Sequence, residues 1–179
     1  MKKDINSNGY IFLYSTILVV VVAALLTAAA LLLQPYQQRN KENEKRTMIL
    51  SAAGVTEGKI NYLDGDLPVY LVNDSISVIP MEGKGLWGPI WGYFAIAPDG
   101  NTIVGANFDH KSETPGLGGE ITKEKFRSQF KGKTLKRNGT FLPVEVDAIT
   151  GATKTSKGVD EMINQTMQLY RPYFEKLNP

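Results

Sequence analysis

The order of hydrophobic and polar positions divides the chain into one long apolar run and a later region of short alternating runs. Residues 10–33 carry no charge and are interrupted only by Ser15, Thr16 and Thr27. As a helix this run is roughly 36 Å long, slightly more than the roughly 30 Å hydrocarbon core of a bilayer. Because an ordinary soluble helix does not stay apolar on every face over such a length, the pattern predicts a transmembrane helix at 10–34, after a short polar N-terminus at 1–9. An uncleaved anchor is favoured over a signal peptide, whose apolar core is shorter.

Residues 35–54 are charged at first and apolar later, which predicts a juxtamembrane helix. Glu42 and Arg46 lie four residues apart, a spacing that supports a helix, and Gly54 is a plausible C-cap. The basic residues around the apolar run favour a cytoplasmic position for the domain that follows, because more of them come after the run than before it. Those counted are Lys2 and Lys3 before the run, and Arg39, Lys41, Lys45 and Arg46 after it.

Residues 55–179 alternate short β-like runs with turn residues. Runs at 69–72 and 76–79 flank Asn73 and Asp74, runs at 89–97 and 102–108 flank a Pro-Asp-Gly-Asn turn, and a further strand is predicted at 142–149. A short helix at 122–130, capped by Thr122, and a long amphipathic helix at 157–177 that contains Pro172 complete the pattern. The pattern therefore predicts an α+β fold, in which a single N-terminal transmembrane helix precedes a compact domain of antiparallel strands with helices packed on it.

Composition removes several classes of function. The chain has no Cys, which excludes thiol catalysis, disulfides, and zinc or iron–sulfur sites that need Cys ligands. His110 is its one histidine, so a multi-histidine metal or haem site within the chain is excluded as well. The net charge is only +2 and no basic stripe is present, which argues against nucleic-acid binding. If the chain takes part in redox chemistry, the electrons must reside on an organic cofactor or on a partner's metal.

The candidate chemistry centres on residues 147–156, which read Asp-Ala-Ile-Thr-Gly-Ala-Thr-Lys-Thr-Ser. Four hydroxyl side chains, Thr150, Thr153, Thr155 and Ser156, surround Gly151 just where the long helix is predicted to begin. Backbone N–H groups at a helix start are unpaired and the helix dipole is positive there, so the segment suits an anion. A threonine in this place could bind a phosphate or be joined to one. The alternative is an ordinary helix start capped by Ser156 or Thr155.

Two glycine-rich stretches are further candidates. The first, residues 81–92, interleaves Gly85 and other glycines with Leu86 and Trp87, so that backbone can approach a flat ring and apolar side chains can cover it. The second, residues 110–120, is a loop stiffened by Pro115 that offers backbone N–H groups to carbonyl oxygens and ring nitrogens. Taken alone, each stretch is also typical of an ordinary turn or connection.

Together and in this order, the three stretches resemble the FMN-binding domain family. The residues concerned are Gly-Leu-Trp-Gly at 85–88, Glu-Thr-Pro-Gly-Leu-Gly at 113–118 and Asp-x-x-Thr-Gly-Ala-Thr at 147–153. Within that family they are most similar to the C subunit of the sodium-translocating NADH:quinone reductase, and the similarity extends to the N-terminal anchor and the Pro-Asp-Gly-Asn hairpin. The G subunit of the Rnf complex shares the anchor and the last motif but matches the other two less closely. Segments 56–82 and 122–146 are short for the C subunit of the reductase.

The resemblance implies that Thr153 carries FMN through a phosphoester bond, added by a separate flavin transferase that recognises Asp147. It implies that the isoalloxazine lies between the 85–91 stretch and the 113–118 loop. No catalytic or metal-ligating residue is expected. The expected cofactor contacts are Gly85, Leu86, Trp87, Glu113, Thr114, Leu117, Gly118, Thr150, Gly151, Ala152, Thr155 and Ser156, of which the last two would stabilise the phosphoester oxygens.

The resemblance further implies an electron-transfer subunit of an ion-translocating NADH:quinone oxidoreductase in the bacterial inner membrane. Electrons would pass from an iron–sulfur centre of partner subunits, through this FMN, to a second covalent flavin and a quinone, while sodium moves outward. The FMN domain would lie on the periplasmic side, against the count of basic residues. The predicted span has no ionisable residue, which favours electron transfer over ion conduction. Two alternatives stay open: an Rnf-type subunit that works between ferredoxin and NAD, and a membrane-anchored binding module without flavin.

Overall fold

The computed structural model describes residues 8–63, 65, 67–135 and 145–177 of the chain. Two compact units are present, one up to Glu44 and one from Lys45 onward. Helix α1 runs from Asn8 to Ala52, and within the described residues it is the one helix long and apolar enough to cross a membrane. The two helices predicted on either side of Pro35 are therefore continuous. Pro35 removes one backbone donor, and the good helix formers on both sides continue the helix through it.

The end of α1 is closed by the predicted glycine. Gly54 has φ +72°, a left-handed conformation that favours glycine. Its N–H donates to Ser51 O at 3.1 Å, and Val55 N–H donates to Leu50 O at 3.0 Å. These two bonds form a Schellman motif, which satisfies carbonyls that the end of a helix would otherwise leave unpaired.

Five antiparallel strands follow in the order β1 to β5, each paired with its neighbour in sequence. Their bounds are Ile60–Leu63, Val69–Val72, Ile76–Lys84, Pro89–Ile96 and Ile103–His110. Both predicted hairpins are present. Asn73 and Asp74 have φ of 52° and 56°, as a tight two-residue turn between twisted strands requires. In the second hairpin the Asp99 carboxylate accepts the N–H groups of Asn101 and Thr102, each at 2.9 Å, and so fixes the turn.

Successive side chains of a strand point to opposite faces of the sheet, and both faces of this sheet are buried. In β3, Val78 lies in a cluster with the last residues of α1, and the next residue, Ile79, lies in a larger cluster on the other side. Helix α3, Thr153–Leu177, packs on this second face, mainly against β3. The larger cluster includes Ile79, Met81, Ile90, Phe94, Phe108, Phe126, Phe130, Val159, Met162, Ile163, Met167 and Phe174. The predicted α+β fold is confirmed.

Three predicted elements differ from the structure. The helix expected at 122–130 is a 3₁₀ turn at Gly118–Thr122, one α-helical turn at Glu124–Arg127 (α2) and a 3₁₀ turn at Ser128–Phe130. The Thr122 hydroxyl does not cap it but donates to Gly119 O at 3.0 Å. These short turns bury Phe126 and Phe130 against the sheet, and that packing decides their geometry.

The strand predicted at 142–149 has no counterpart among its described residues, 145–149, and residues 142–144 lie outside the described part of the chain. Its apolar residues join the larger core cluster without joining the sheet, as Val146 does. Helix α3 begins at Thr153, four residues before the predicted start, and continues through Pro172 to Leu177. Buried Phe174 and a 2.8 Å hydrogen bond between the Tyr173 and Ser77 hydroxyls hold its last turns on the sheet.

Candidate functional site

A single carboxylate joins the three sequence stretches of interest. Glu113 is only 4 % exposed. Its Oε1 accepts the backbone N–H of Trp87 at 2.8 Å, and its Oε2 accepts the hydroxyl of Thr155 at 2.6 Å. Strand β5 ends at His110, and His110 Nδ1 accepts the Glu113 N–H at 3.1 Å, which fixes the start of the loop. The turn after β3, the loop after β5 and the start of α3 therefore meet at one buried group.

Two glycines of the motifs leave room for this carboxylate. A Cβ on Gly85 would lie 2.5 Å from Glu113 Oε1, and a Cβ on Gly118 would lie 2.4 Å from Oε2. A real Cβ essentially never comes this close to a non-bonded atom, so any larger residue at either position would displace the carboxylate. Both glycines are thus required by the close approach of backbone to Glu113.

The same contacts decide the charge of Glu113. Burial by itself raises the pKa of the carboxyl, because water no longer solvates the charged form. The hydrogen bonds from Thr155, Trp87 and the Gly88 backbone, together with the neighbouring His110, outweigh burial and bring the pKa below its ordinary value. Glu113 is therefore an ionised, hydrogen-bonded carboxylate at neutral pH.

Apolar side chains around this group point to solvent. Leu86 is 41 % exposed, Trp87 is 67 % exposed and Leu117 is 42 % exposed, although the backbone that carries them is held in place by Glu113 and its neighbours. Leu117 lies against the third motif, since a Cβ on Gly151 would be 2.9 Å from Leu117 Cδ2. Exposed apolar side chains on a fixed backbone are typical of a binding surface.

The segment from Asp147 to Thr153 is held by several hydrogen bonds. Gly151 has φ +76° and turns the chain into α3. Ala152 N–H donates to Ile149 O at 3.0 Å, and the N–H of Ile149 donates to Ser156 Oγ at 3.0 Å. Thr153 is the first residue of α3 and is exposed. The fold thus presents the Thr153 side chain to solvent at a helix N-terminus.

The hydroxyls of Thr155 and Ser156 form hydrogen bonds inside the protein. Both residues are buried within the first turn of α3, so neither is the N-cap that an ordinary helix start would have used. Thr155 donates to Glu113, and Ser156 accepts from Ile149. These two side chains position the segment, whereas Thr153, at the first residue of α3, and Thr150, in the turn before it, are exposed.

An open cleft of about 890 Å³ borders the segment on its other side. The sequence motifs did not indicate this cleft. Its side chains come from the short turns after β5 and from the segment itself. It is lined by Gly116, Glu120, Lys123, Lys125, Phe126, Gln129, Asp147, Ala148, Ile149 and Thr150. Gln129 Oε1 accepts the N–H of Asp147 at 2.8 Å. Gln129 belongs to no recognisable motif, so only the folded structure identifies it.

The structure brings most of the predicted site residues together. Around the Glu113 carboxylate lie Gly85, Trp87, Gly118 and Thr155, while Leu86 and Leu117 flank them at the surface. Thr114 and Thr150 are exposed and Ala152 is buried. The Gly-Leu-Trp-Gly turn and the 113–118 loop are joined by Glu113, and their exposed apolar side chains lie on the outer surface of this junction.

Comparison with known proteins identifies this arrangement. Residues 85–168 match the family model described as the FMN-binding domain. The C subunit of the Na(+)-translocating NADH-quinone reductase from Pasteurella multocida is 40 % identical over 109 residues, which cover 51 % of this chain and 42 % of that protein. The chain spans about half the length of the curated relatives it matches.

Solved structures agree with the sequence relatives. The crystal structure of the C subunit of the Na(+)-translocating NADH-quinone reductase from Parabacteroides distasonis superposes with a TM-score of 0.68 at 32 % identity, over 79 % of this chain and 96 % of that one. NqrC of Shewanella oneidensis gives a TM-score of 0.66 at 26 % identity, over 78 % and 98 %. Fold and site define an FMN-binding domain that follows an apolar N-terminal helix. The chain belongs to the family formed by the C subunits of the Na(+)-translocating NADH-quinone reductases.

Proposed function

We propose that this chain is the electron-transferring C subunit of a membrane-bound, sodium-translocating NADH:quinone reductase, and that it carries FMN through a phosphoester bond to Thr153. The observation that carries the proposal is the exposed Thr153 side chain. It closes the Asp-x-x-Thr-Gly-Ala-Thr motif at the first residue of α3. The two hydroxyls that follow it, Thr155 and Ser156, are engaged inside the protein, and the exposed Thr150 lies in the turn before the helix.

The residues present fit a flavin nucleotide. The first turn of α3 has no acidic residue, and the next residue after Thr153 is the exposed Lys154, so a phosphoester there meets unpaired N–H groups, the positive end of the helix dipole and a cation. Leu86, Trp87 and Leu117 offer an exposed apolar surface on which a planar ring can lie. Leu117 reaches Gly151, two residues before Thr153, so this surface adjoins the attachment point.

Attachment requires one phosphoryl transfer and no change in oxidation state. Thr153 Oγ attacks the FMN phosphorus of FAD held by a flavin transferase, and loses its proton. The new Oγ–P bond forms as the phosphoanhydride bond to AMP breaks, and AMP leaves. Gly151, with φ +76°, and the Ile149–Ser156 hydrogen bond hold the acceptor oxygen in the open during this step. Asp147, exposed at the other end of the motif, is the group by which the transferase recognises the segment.

FMN supplies the electron-carrying chemistry, and this chain's residues bind it, orient it and set its surroundings. The ionised Glu113 keeps the Trp87 turn and the start of α3 at a fixed separation, so that the ring surface and the attachment point do not move apart. The covalent bond to Thr153 keeps FMN on the protein whatever the affinity of the non-covalent contacts. Thr114 and Gly118 lie on the loop beside the ring surface, and Thr150 and Ala152 flank the attachment turn.

In the assembled enzyme, the proposed route leads from an iron–sulfur centre of partner subunits, through this chain, to a second covalent flavin and a quinone. Relatives of this chain are named as subunits of Na(+)-translocating NADH-quinone reductase, which supports the assignment. The apolar part of α1 contains no Asp, Glu, Lys or Arg at 10–33, so it offers no charged group to an ion pathway and serves as an anchor. We place the FMN domain on the periplasmic side of the bacterial inner membrane.

The proposal is tested by producing the full chain with and without a flavin transferase and examining denaturing gels for flavin fluorescence. We expect a fluorescent band for the wild type and for Thr56→Val, which alters an exposed threonine outside the motif, only when the transferase is present. Thr153→Val should give no fluorescent band under any condition. Fluorescence retained in Thr153→Val would show that the flavin is attached elsewhere.

A further inference from the structure

The cleft beside the attachment segment has no role in the proposed function so far. One wall is the 116–129 segment and the other is residues 147–150. Its apolar lining residues are the buried Phe126 and the half-buried Ala148 and Ile149, and its charged ones are the half-buried Glu120 and the exposed Lys123, Lys125 and Asp147. Buried apolar side chains bordered by exposed charged ones are the composition of a protein–protein contact with a polar rim.

Gln129 ties the two walls together. Its Oε1 accepts the N–H of Asp147 at 2.8 Å, and its Nε2 donates to Lys125 O at 3.3 Å. The amide is therefore held at both ends, and it fixes the backbone of the first residue of the motif. The Asp147 side chain itself is exposed. Gln129 thus determines where the Asp147 carboxylate stands while leaving that carboxylate open to a partner.

The position of the cleft relative to the motif indicates its occupant. Asp147 and Thr150 line it, and Thr153 follows three residues after Thr150. Any enzyme that modifies Thr153 and reads Asp147 must cover this part of the surface. We propose, on the basis of the proposed function, that the cleft is the surface on which the flavin transferase docks, with Gln129 as the positioning residue that presents Asp147 to it.

The test measures FMN incorporation into the full chain by purified transferase and FAD, as an initial rate at several acceptor concentrations. Gln129→Leu removes both hydrogen bonds, and Gln129→Glu keeps an oxygen that can accept the Asp147 N–H. Gln168→Leu changes an exposed glutamine of α3 and is the matched control. We expect Gln129→Leu to raise KM for the acceptor by about five- to tenfold with kcat unchanged, the size of one lost hydrogen bond. Gln129→Glu should recover most of the wild-type KM, and Gln168→Leu should match the wild type.

A second pair of variants tests the surface without changing Gln129. Lys125→Glu reverses a charge in the cleft lining, and Lys131→Glu reverses an exposed charge that is not part of that lining. Lys125→Glu should change KM for the acceptor and Lys131→Glu should not. Thermal unfolding midpoints of all variants, equal to the wild type within a few degrees, confirm that the comparison is between folded proteins.

Each result distinguishes this inference from the proposed function. If the wild type accepts FMN and both Gln129→Leu and Lys125→Glu keep its KM, the inference is overturned while the proposed function stands. If these variants accept FMN normally but shift the absorption spectrum of the attached flavin, the cleft holds the ring, and docking there is wrong. If the wild type itself accepts no FMN, the proposed function fails.

Discussion

At the scale of single residues, Glu113 shows how a buried charge can order a site. The resemblance to the FMN-binding domain family implies that it contacts the cofactor, because it begins the Glu-Thr-Pro-Gly-Leu-Gly run. In the structure both of its oxygens accept hydrogen bonds from within the protein, from Trp87 and from Thr155. Two of the motif glycines, Gly85 and Gly118, stand where their missing side chains would collide with it. One internal group therefore brings together several of the residues that are expected to contact the cofactor.

Two substitutions of Glu113 separate its shape from its charge. Glu113→Ala leaves the Trp87 N–H and the Thr155 hydroxyl without their acceptor in a buried place, and should lower the free energy of unfolding by about 2–5 kcal/mol. Glu113→Gln can still accept from Trp87 through its oxygen, and its NH₂ can donate to Thr155 Oγ, so the loss should be about 1–2 kcal/mol. Denaturant unfolding of both variants measures this difference. Equal losses would contradict the account.

The charge of Glu113 also predicts a pH dependence. Its pKa is lower in the folded protein than its ordinary value of 4.5, so the ionised form is stabilised by folding. The contribution is complete above about pH 5.5 and decreases as the pH falls below about 4.5. The difference in unfolding free energy between wild type and Glu113→Gln should therefore be constant at neutral pH and shrink in acid. A difference that grows in acid would contradict a lowered pKa.

At the scale of elements, the start of α3 decides how Thr153 is presented. The helix begins at Thr153 because Gly151, in a left-handed conformation, turns the chain and Ser156 N–H already bonds Ala152 O at 2.9 Å. Leu117, from another loop, packs against Gly151. The element is thus built from one local turn and one contact with a distant part of the sequence.

Gly151→Ala tests this contact, with Gly132→Ala as its matched control. Gly151 has φ +76° and Gly132 has φ +77°, so alanine at either position should destabilise the fold by about 1–2 kcal/mol through backbone strain. Only at Gly151 does the new Cβ meet a neighbour, Leu117 Cδ2 at 2.9 Å. Methyl NMR of Leu117 should therefore change in Gly151→Ala and not in Gly132→Ala. An unchanged Leu117 signal in Gly151→Ala would contradict the contact.

Elements with a strong local signal were predictable from sequence, and those decided by packing were not. Asn73-Asp74 and Pro-Asp-Gly-Asn specify turns by their own chemistry, and both hairpins are confirmed. The 142–149 run is apolar enough for a strand, but its described part packs in the larger core cluster without joining the sheet. The site motifs could be located from sequence, whereas the Glu113 carboxylate at their centre and the Gln129 contact depend on side chains far apart in the chain.

At the scale of the whole molecule, two physical arguments disagree about which side of a membrane the FMN domain occupies. The basic residues after the apolar run favour the cytoplasm, and the proposed function requires the periplasm. Partner subunits can fix a topology that the loops of one chain do not. The absence of Cys makes the question accessible, since a single introduced thiol is the only one in the chain.

Glu57→Cys, at an exposed position of the domain, and Asp4→Cys, before the apolar run, form a reciprocal pair. In intact cells that contain the assembled enzyme, a thiol reagent that cannot cross the inner membrane should label Glu57→Cys directly. It should label Asp4→Cys only after the inner membrane is opened. The opposite pattern would place the domain in the cytoplasm and contradict the proposed orientation.

The central claim is that FMN is joined to one oxygen of the chain, Thr153 Oγ. Tandem mass spectrometry of peptides from the chain isolated from its own membrane tests it most directly, because fragmentation assigns the modified residue. We predict one FMN per chain, with the mass added on Thr153 and with Thr150, Thr155 and Ser156 unmodified. A chain that binds flavin while every peptide covering residues 147–156 remains unmodified, or that carries FMN on another of these hydroxyls, would contradict the account.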